Sequence, residues 1–198
     1  HGLSSAPKML ITKSLGDTAA WAVWHTGLTD ATKYLVLNTT ASEATNANAW
    51  NSTAPSSSVI SFGSDGQTNG SGKNNIMYAF SDVKGYSSFG TFTGTASATD
   101  GAFIYTGFRP AYVLVKAINY TAAWIMFDSK RLGYNLQNKV FTPNTTSVEE
   151  AAWMSDIYSN GFKPFSSDPA INGSYNYIYM SFAEFPIVSS NSKAGTAR

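Results

Sequence analysis

Cysteine is absent from this sequence of 198 residues, which excludes disulfides and thiolate metal sites. Charge is also scarce, because Asp, Glu, Lys and Arg together make up 13% of the chain, about half of the usual share. The 13 basic and 12 acidic residues are scattered and leave a net charge of +1, without the basic stripe of a nucleic-acid-binding protein. No apolar run approaches the roughly 18 residues of a membrane span. We therefore expect neither a nucleic-acid partner nor insertion into a membrane.

Small polar residues and aromatic residues take the place of the missing charges. Ser, Thr, Asn and Gly fill the gaps between short apolar runs, and aromatic residues reach 14%. This composition is typical of exposed β-structure in secreted and virion proteins, and it disfavours an ordinary cytoplasmic enzyme. A chain of this length buries a sizeable core without covalent staples.

A repeat runs through the chain at a spacing of 103 residues. The tetrapeptide TAAW occurs at 18–21 and again at 121–124. The same spacing relates a colinear series of further matches: Pro7 with Pro110, Lys13 with Lys116, Ala49-Trp50 with Ala152-Trp153, Asp65 with Asp168, and Asn69-Gly70-Ser71 with Asn172-Gly173-Ser174. One deletion later the spacing is 102, and IMYAFSDV (76–83) lies over IYMSFAEF (178–185). A colinear series of this kind predicts an internal duplication.

The repeat predicts one pseudo-twofold β domain over residues 1–198. Repeat one covers 6–83 and repeat two covers 109–186, with a link at 84–108 and a polar tail at 187–198. HGL precedes the first repeat as TGF precedes the second, but the strand-like AFIY has no counterpart before HGL. We therefore expect this chain to be the C-terminal part of a longer protein. Whether the repeats form one sandwich or two stays open, and we favour one.

The apolar runs are those of a β protein. Runs such as KMLITK, AWAVWHT, SSVISFG and YNYIYMSF last five to eight residues, are rich in β-branched and aromatic residues, and end at turn-forming residues. Both faces of the Trp21 strand and of the Trp124 strand are apolar, which indicates burial on both sides. ASEATNANAW and TTSVEEAAW are the only helix-like stretches. These patterns predict an all-β fold, a β-sandwich of jelly-roll or lectin-like type with little helix.

Motifs for catalysis are incomplete. GQTNGSGKN (66–74) resembles a phosphate-binding loop, but its glycine spacing is wrong and Asn74 stands where the motif needs Ser or Thr. There is no G-x-S-x-G elbow, and the two histidines are His1 and His25, of which His25 aligns with Asp128 in the other repeat. Glu149-Glu150 is read as a solvated turn, and no carboxylate pair suits glycan hydrolysis. We expect a protein without enzymatic activity and without a cofactor.

Asp65 and Asp168 are weak candidates for a metal site. Each stands four residues before its NGS sequence, so a carboxylate, an asparagine and backbone carbonyls could share a calcium ion. The alternative is a hydrogen-bonded Asx turn, which needs no metal and is the favoured interpretation.

Aromatic side chains are the candidate binding residues. The duplicated tryptophans, Trp21 with Trp124 and Trp50 with Trp153, suit sugar stacking, but retention in both repeats favours core packing. Better candidates are the unpaired aromatics Tyr86, Tyr120, Tyr134 and Tyr158, together with Trp24, which differs from its counterpart Phe127 in the other repeat. The alternative is that these are ordinary residues at the rim of the fold.

Four segments carry a resemblance to a known family: HGLSSAPKMLITK, WAVWH, TNGSGKNNIMYAFSDVKGYSSFGTFTG and GAFIYTGFRPAYVLVKA. Together they resemble a duplicated β domain in structural proteins of tailed phages, notably marine and cyanobacterial ones. The resemblance covers nearly the whole chain and brings no catalytic residue with it. It implies a virion component, of tail-fibre or capsid-surface type, located in the extracellular particle.

Two functions therefore stay open. The first is a non-enzymatic virion module, either a tail-fibre or a capsid decoration domain, that assembles with other virion proteins and contacts the host surface. The second is a carbohydrate-binding module of a secreted or cell-surface protein. A possible partner in both is a cell-surface glycan. We also expect a homo-oligomer, with a trimer favoured because fibre proteins are commonly trimers.

Overall fold

The computed structural model describes residues 1–151 and 154–186. Its regular structure is almost entirely β, which confirms the predicted all-β fold. The described residues form twelve strands and one single-turn helix: β1 (Met9–Ser14), β2 (Ala22–His25), β3 (Lys33–Val36), β4 (Ala44–Thr45), α1 (Gly66–Asn69), β5 (Asn75–Phe80), β6 (Ser87–Thr93), β7 (Ile104–Tyr105), β8 (Pro110–Ala117), β9 (Ile125–Asp128), β10 (Met154–Tyr158), β11 (Gly161–Phe165) and β12 (Asn176–Ala183).

The strands form three antiparallel sheets. The first sheet has the order β4-β3-β2-β1-β5, and the second has the order β6-β12-β8-β9. The third sheet is smaller, with the order β10-β11-β7. Sheet formation follows the sequence, because the strands are the short runs of β-branched and aromatic residues bounded by turns.

The first and second sheets pack face to face and share one hydrophobic core. Met9 and Phe80 of the first sheet belong to the same core as Phe89 and Met180 of the second. The Phe89 ring lies 6.1 Å from the Phe80 ring and 6.2 Å from the Phe182 ring, so aromatic side chains join the two sheets. The two sheets therefore form a β-sandwich with a single core between them.

The second sheet is buried on its other face as well. A second core joins Val113, Phe127 and Tyr177 of this sheet to Ile157 and Phe162 of the third sheet. A strand that is covered on both faces needs apolar side chains at successive positions, which explains the run AYVLV at 111–115 in β8. Both faces of the first sheet are covered along β2 as well, since its four successive residues, Ala22–His25, are all buried.

Strand order and register repeat between the first two sheets. Leu10 pairs with Trp24 and Ala79, and the residues 103 or 102 positions later, Val113, Phe127 and Ser181, pair in the same way. This correspondence supports the duplication hypothesis, which stays a prediction. The correspondence is partial, because residues 51–62 contain no strand where repeat two has β10 and β11.

Several local predictions are wrong. Residues 41–50 contain the short strand β4 and a turn instead of a helix, and Thr145–Ala151 is not helical either. The predicted strand SSVISFG is an irregular segment with Val59 exposed. The Ser56 hydroxyl there accepts a hydrogen bond from the Val59 N–H at 2.9 Å, so a side chain satisfies the backbone group that a strand would use. Trp153 and the tail at 187–198 lie outside the described residues.

Candidate binding surface

The structure places the sequence-predicted binding residues at separate points. Tyr86, Tyr120, Tyr134 and Tyr158 are exposed, but they do not form one cluster. Trp24 lies on β2 and is buried in the sandwich core, so it is a packing residue and not an exposed platform. Of the five candidates, Tyr158 has the most informative surroundings.

Tyr158 belongs to an aromatic surface on the outer face of the third sheet. The surface consists of Phe103, Tyr105 and Tyr158, all of which are exposed, and Tyr105 has 67% of its surface in contact with solvent. The Phe103 and Tyr158 rings meet edge to face, with their centroids 5.6 Å apart and their planes at 71°. We call these three residues the aromatic surface.

Strand alternation produces this surface. Phe162 pairs with Ile104 and Ile157, and these three side chains point into the core. The next pairs in the register, Gly161 with Tyr105 and Gly161 with Tyr158, therefore project outward. Two tyrosines thus flank a glycine on the solvent side of the sheet.

Gly161 is required at the centre of this surface. A Cβ atom at this position would lie 2.2 Å from the Ile104 carbonyl oxygen and 2.8 Å from the Phe103 Cζ atom. Both distances are far below van der Waals contact, so the Phe103 ring approaches the backbone only because no side chain stands there. The absence of a side chain at Gly161 lets the Phe103 ring lie against the backbone of β11, in contact with Tyr158.

A polar rim borders the aromatic surface. The Tyr158 hydroxyl donates to the Asp156 carboxylate at 3.1 Å, and the Lys163 Nζ atom donates to Asp100 at 2.7 Å. Desolvation and then the Asp156 carboxylate raise the pKa of Tyr158, so its hydroxyl keeps its proton. The hydrogen bond with Lys163 lowers the pKa of Asp100 and raises that of Lys163. Flat aromatic rings therefore stand beside two tyrosine hydroxyls, two carboxylates and one ammonium.

Such a surface suits a ligand with both apolar and hydroxyl-bearing faces. An exposed aromatic ring covers the C–H face of a sugar or an apolar side chain of a protein, while the rim exchanges hydrogen bonds. Sequence reasoning missed Phe103 and Tyr105 because AFIYTGF was interpreted only as a strand. The signal was present, since the alternation in FIY places Phe103 and Tyr105 on one face and Ile104 on the other.

The other predicted tyrosines have simpler surroundings. The Tyr120 ring stacks on Tyr175, with centroids 4.3 Å apart. The Tyr86 ring contacts the edge of Phe182 at 5.8 Å and lines a small apolar pocket. Tyr134 is exposed, and its backbone carbonyl accepts a hydrogen bond from the side chain of Gln137.

Asp65 and Asp168 occupy equivalent turns. Asp65 accepts a hydrogen bond from the Gln67 N–H at 2.9 Å, and Asp168 accepts one from the Ala170 N–H at 2.7 Å. Both are Asx turns, with the carboxylate engaged two residues further along the chain. Over residues 1–151 and 154–186 there is no group of three or more His, Asp or Glu side chains that could hold a metal ion.

The NGS asparagines also repeat their contacts. Asn69 donates to the Gly63 carbonyl and Asn172 to the Ser166 carbonyl, each six residues upstream. Asn172 is fully buried and additionally accepts from the Thr95 N–H and donates to the Ser97 carbonyl. The motif therefore closes a loop in both repeats, and in repeat two it also anchors the link.

Two buried basic side chains, His25 and Lys116, lie outside the aromatic surface. Burial lowers the pKa of His25 to about 4 and that of Lys116 to about 8. Lys116 donates to the carbonyls of Ala117 and Tyr120, and Lys13 in repeat one donates to the carbonyls one and four residues ahead in the same way. These lysines hold loops together, which is a structural role.

Comparison with known families gives one match, over residues 1–186. The chain belongs to the DUF7483 family. The family is described as a domain of unknown function, so membership assigns neither an activity nor a ligand to this DUF7483 chain. No curated protein and no solved structure matches the chain. Within the described residues, no helix is both long and apolar enough to span a bilayer.

Proposed function

We propose that this DUF7483 domain is a non-enzymatic module of a phage virion, of tail-fibre or capsid-surface type, that contacts cell-surface glycans. The resemblance of four sequence segments to virion structural proteins supports the virion assignment. The observation that carries the contact with glycans is the aromatic surface of Phe103, Tyr105 and Tyr158 with its polar rim. The proposed location is the extracellular particle, in contact with other virion proteins.

The geometry favours recognition over packing at this position. Exposed aromatic side chains cost solvation free energy unless a partner covers them, and here they occur together instead of singly. The rim supplies carboxylate acceptors and an ammonium donor, which suit the alternating hydroxyl groups of a sugar. The surface is open and shallow, so we expect a single-site dissociation constant of about 1 mM.

The binding test uses a glycan array that includes host lipopolysaccharide, probed with the protein fused to a multimerisation tag. We expect binding by the wild type and at least a tenfold loss in Tyr105→Ala. Phe185→Ala is the matched control, because Phe185 is an exposed aromatic residue with 56% of its surface in solvent and lies outside the aromatic surface. Equal loss in both variants, or no binding by the wild type, would remove glycan contact from the proposal.

The virion assignment has a separate test. Mass spectrometry of purified phage particles should detect the protein, and capsid, portal or tail genes should flank its gene. A carbohydrate-binding module of a secreted or cell-surface protein is the second candidate, and the same aromatic surface favours it. Absence from particles combined with glycan binding would establish that second candidate in place of the first.

A further inference from the structure

Strand β5 lies at an open edge of the first sheet, whereas its equivalent in the second sheet is covered. β5 pairs with β1 on one side, and no described strand pairs with its other side. β12 occupies the equivalent position in the second sheet and pairs with β8 on one side and with β6 on the other. The first sheet therefore lacks a counterpart of β6 among the described residues.

The side chains of β5 are more exposed to solvent than their equivalents in β12. Ile76 and Tyr78 have 37% and 46% of their surface exposed, whereas Ile178 and Met180, 102 positions later, have 1% and 7%. β6 is the strand that lies next to Ile178 and Met180, which pair with Thr91 and Phe89. The same register positions are thus buried where a neighbouring strand is present and exposed where it is absent.

Backbone N–H and C=O groups of β5 point toward its open side, where a further strand could pair with them. The Leu15 N–H donates to the Asn74 carbonyl at 2.8 Å, and the antiparallel register then directs the backbone groups of Ile76 and Tyr78 toward β1. The N–H and C=O groups of Met77 and Ala79 point to the open side. In β12 the equivalents of these two residues, Tyr179 and Ser181, face β6.

The usual devices that protect an edge strand are missing from β5. Its sequence, NIMYAF, contains no charged residue and no proline, and its pairing with β1 shows no bulge. Natural edge strands commonly carry such features because an unprotected edge pairs with other chains. An uncharged, regular edge of six residues is therefore suited to β-augmentation.

An apolar pocket lies at the end of this edge. It has a volume of about 230 Å³ and is lined by Ala79, Phe80, Tyr86 and Phe182, among others. On the other side of the sandwich, the Phe89 ring of β6 packs against Phe80 and Phe182. A strand added to β5 in the same register would bring its own residue at the Phe89 position toward this pocket.

We propose that the open edge of β5 accepts an extended segment of a second polypeptide chain, which adds antiparallel to β5. The segment has the pattern of β6, Ser-Ser-Phe-Gly-Thr-Phe-Thr, and its first phenylalanine enters the pocket between Phe80 and Phe182. The internal comparison between β5 and β12 identifies this occupant, because β6 is the strand that covers the equivalent edge. This contact is independent of the aromatic surface and of any glycan.

The experiment adds a synthetic peptide, SSFGTFTG, to the full protein and follows backbone amides by NMR. We expect saturable shifts in β5 and slower hydrogen exchange at the Met77 and Ala79 N–H groups. Ala79→Pro should lower the affinity at least tenfold, because proline removes a donor from the open edge while leaving the β1 ladder intact. Ala79→Ser is the matched control that keeps the N–H group.

Two peptide variants keep the test independent of protein folding. Methylation of alternate backbone nitrogens should abolish binding by blocking the ladder, and replacement of the first phenylalanine by serine should weaken binding at least tenfold. The proposal is overturned if the peptide leaves β5 unchanged, if it binds Ala79→Pro as well as the wild type, or if it binds elsewhere. Self-association through β5 without affinity for the peptide would also overturn it, since the occupant would then be the β5 of a second copy.

Discussion

Acidification should destabilise this protein through a single buried histidine. His25 ends β2 and is almost completely buried between the two sheets of the sandwich. Its Nδ1 atom accepts a hydrogen bond from the Gly27 N–H at 2.9 Å, so the proton of the neutral ring lies on Nε2, 3.2 Å from the Tyr179 carbonyl oxygen. Protonation would place a second N–H against the Gly27 donor and a charge in the core.

The magnitude follows from the difference in pKa between the two states. Desolvation is the main cause that lowers the pKa of His25 from 6.5 to about 4, with a smaller contribution from Lys8, while the Tyr179 carbonyl opposes it. The unfolded chain therefore takes up the proton first as the pH falls. The stabilisation is present above pH 6.5 and is lost between pH 6.5 and pH 4, at about 1.4 kcal/mol per pH unit and about 3 kcal/mol in total.

Urea denaturation between pH 4.5 and pH 7.5 measures this effect against His25→Asn. Asparagine does not titrate, and its side-chain oxygen can accept from the N–H two residues ahead, as Asp128 does from Lys130 at the equivalent position. The free energy of unfolding of the wild type should fall more steeply with acid than that of the variant. Parallel curves, or an NMR titration that places the His25 pKa near 6.5, would refute the reasoning.

Three further predictions concern stability. Trp124→Ala should lower the free energy of unfolding by about 3–5 kcal/mol, because Trp124 is buried and donates a hydrogen bond to the Val36 carbonyl. Trp21→Ala should lower it by less, because Trp21 is only half-buried. Equal urea midpoints for the two variants would contradict this prediction. Asn172→Ala should cost about 1–3 kcal/mol by leaving buried partners unsatisfied, and Asn69→Ala, at an exposed position, should cost less in the same assay. Burial lowers the pKa of Lys116 to about 8, so the folded protein releases this proton at a lower pH than the unfolded chain does. The free energy of unfolding of the wild type, relative to that of Lys116→Met, should therefore rise by about 1–2 kcal/mol from pH 7 to pH 9. No rise would refute this prediction.

The sequence predicted the parts of the fold that local pattern determines. The strands around Trp24 and Phe127 follow from short apolar runs between turn residues, and their double-sided burial follows from the apolar character of both faces. The expectation that the duplicated tryptophans pack in the core is correct for Trp124, which is buried, and only partly correct for Trp21, which is half-buried against the core. Burial of an end residue depends on what the other sheet places over it, which local pattern does not contain.

The candidate surface could be predicted only in part for a similar reason. Tyr158 was found as an unpaired aromatic residue, but Phe103 and Tyr105 come from a distant segment that joins β11 through two residue pairs. Non-local pairing of so short a strand leaves little signal in sequence. The helix-like stretches failed because Asn and Ser side chains satisfy backbone groups in turns, as the Asn46 side chain does for the Asn48 N–H.

Hydrogen bonds that recur in both repeats have a structural role, which separates them from features that occur only once. His25 and Asp128 differ in chemistry, yet each accepts from the backbone N–H two residues ahead, so even a substituted position keeps its structural task. The aromatic surface has no such counterpart, because Gly2 and Pro55 stand 103 positions before Tyr105 and Tyr158. The first sheet forms without an equivalent of this surface, so the surface is not needed to build a sheet of this kind. Under the proposed glycan contact, each chain has one shallow binding site, so useful affinity for a repeating glycan requires several chains to bind together.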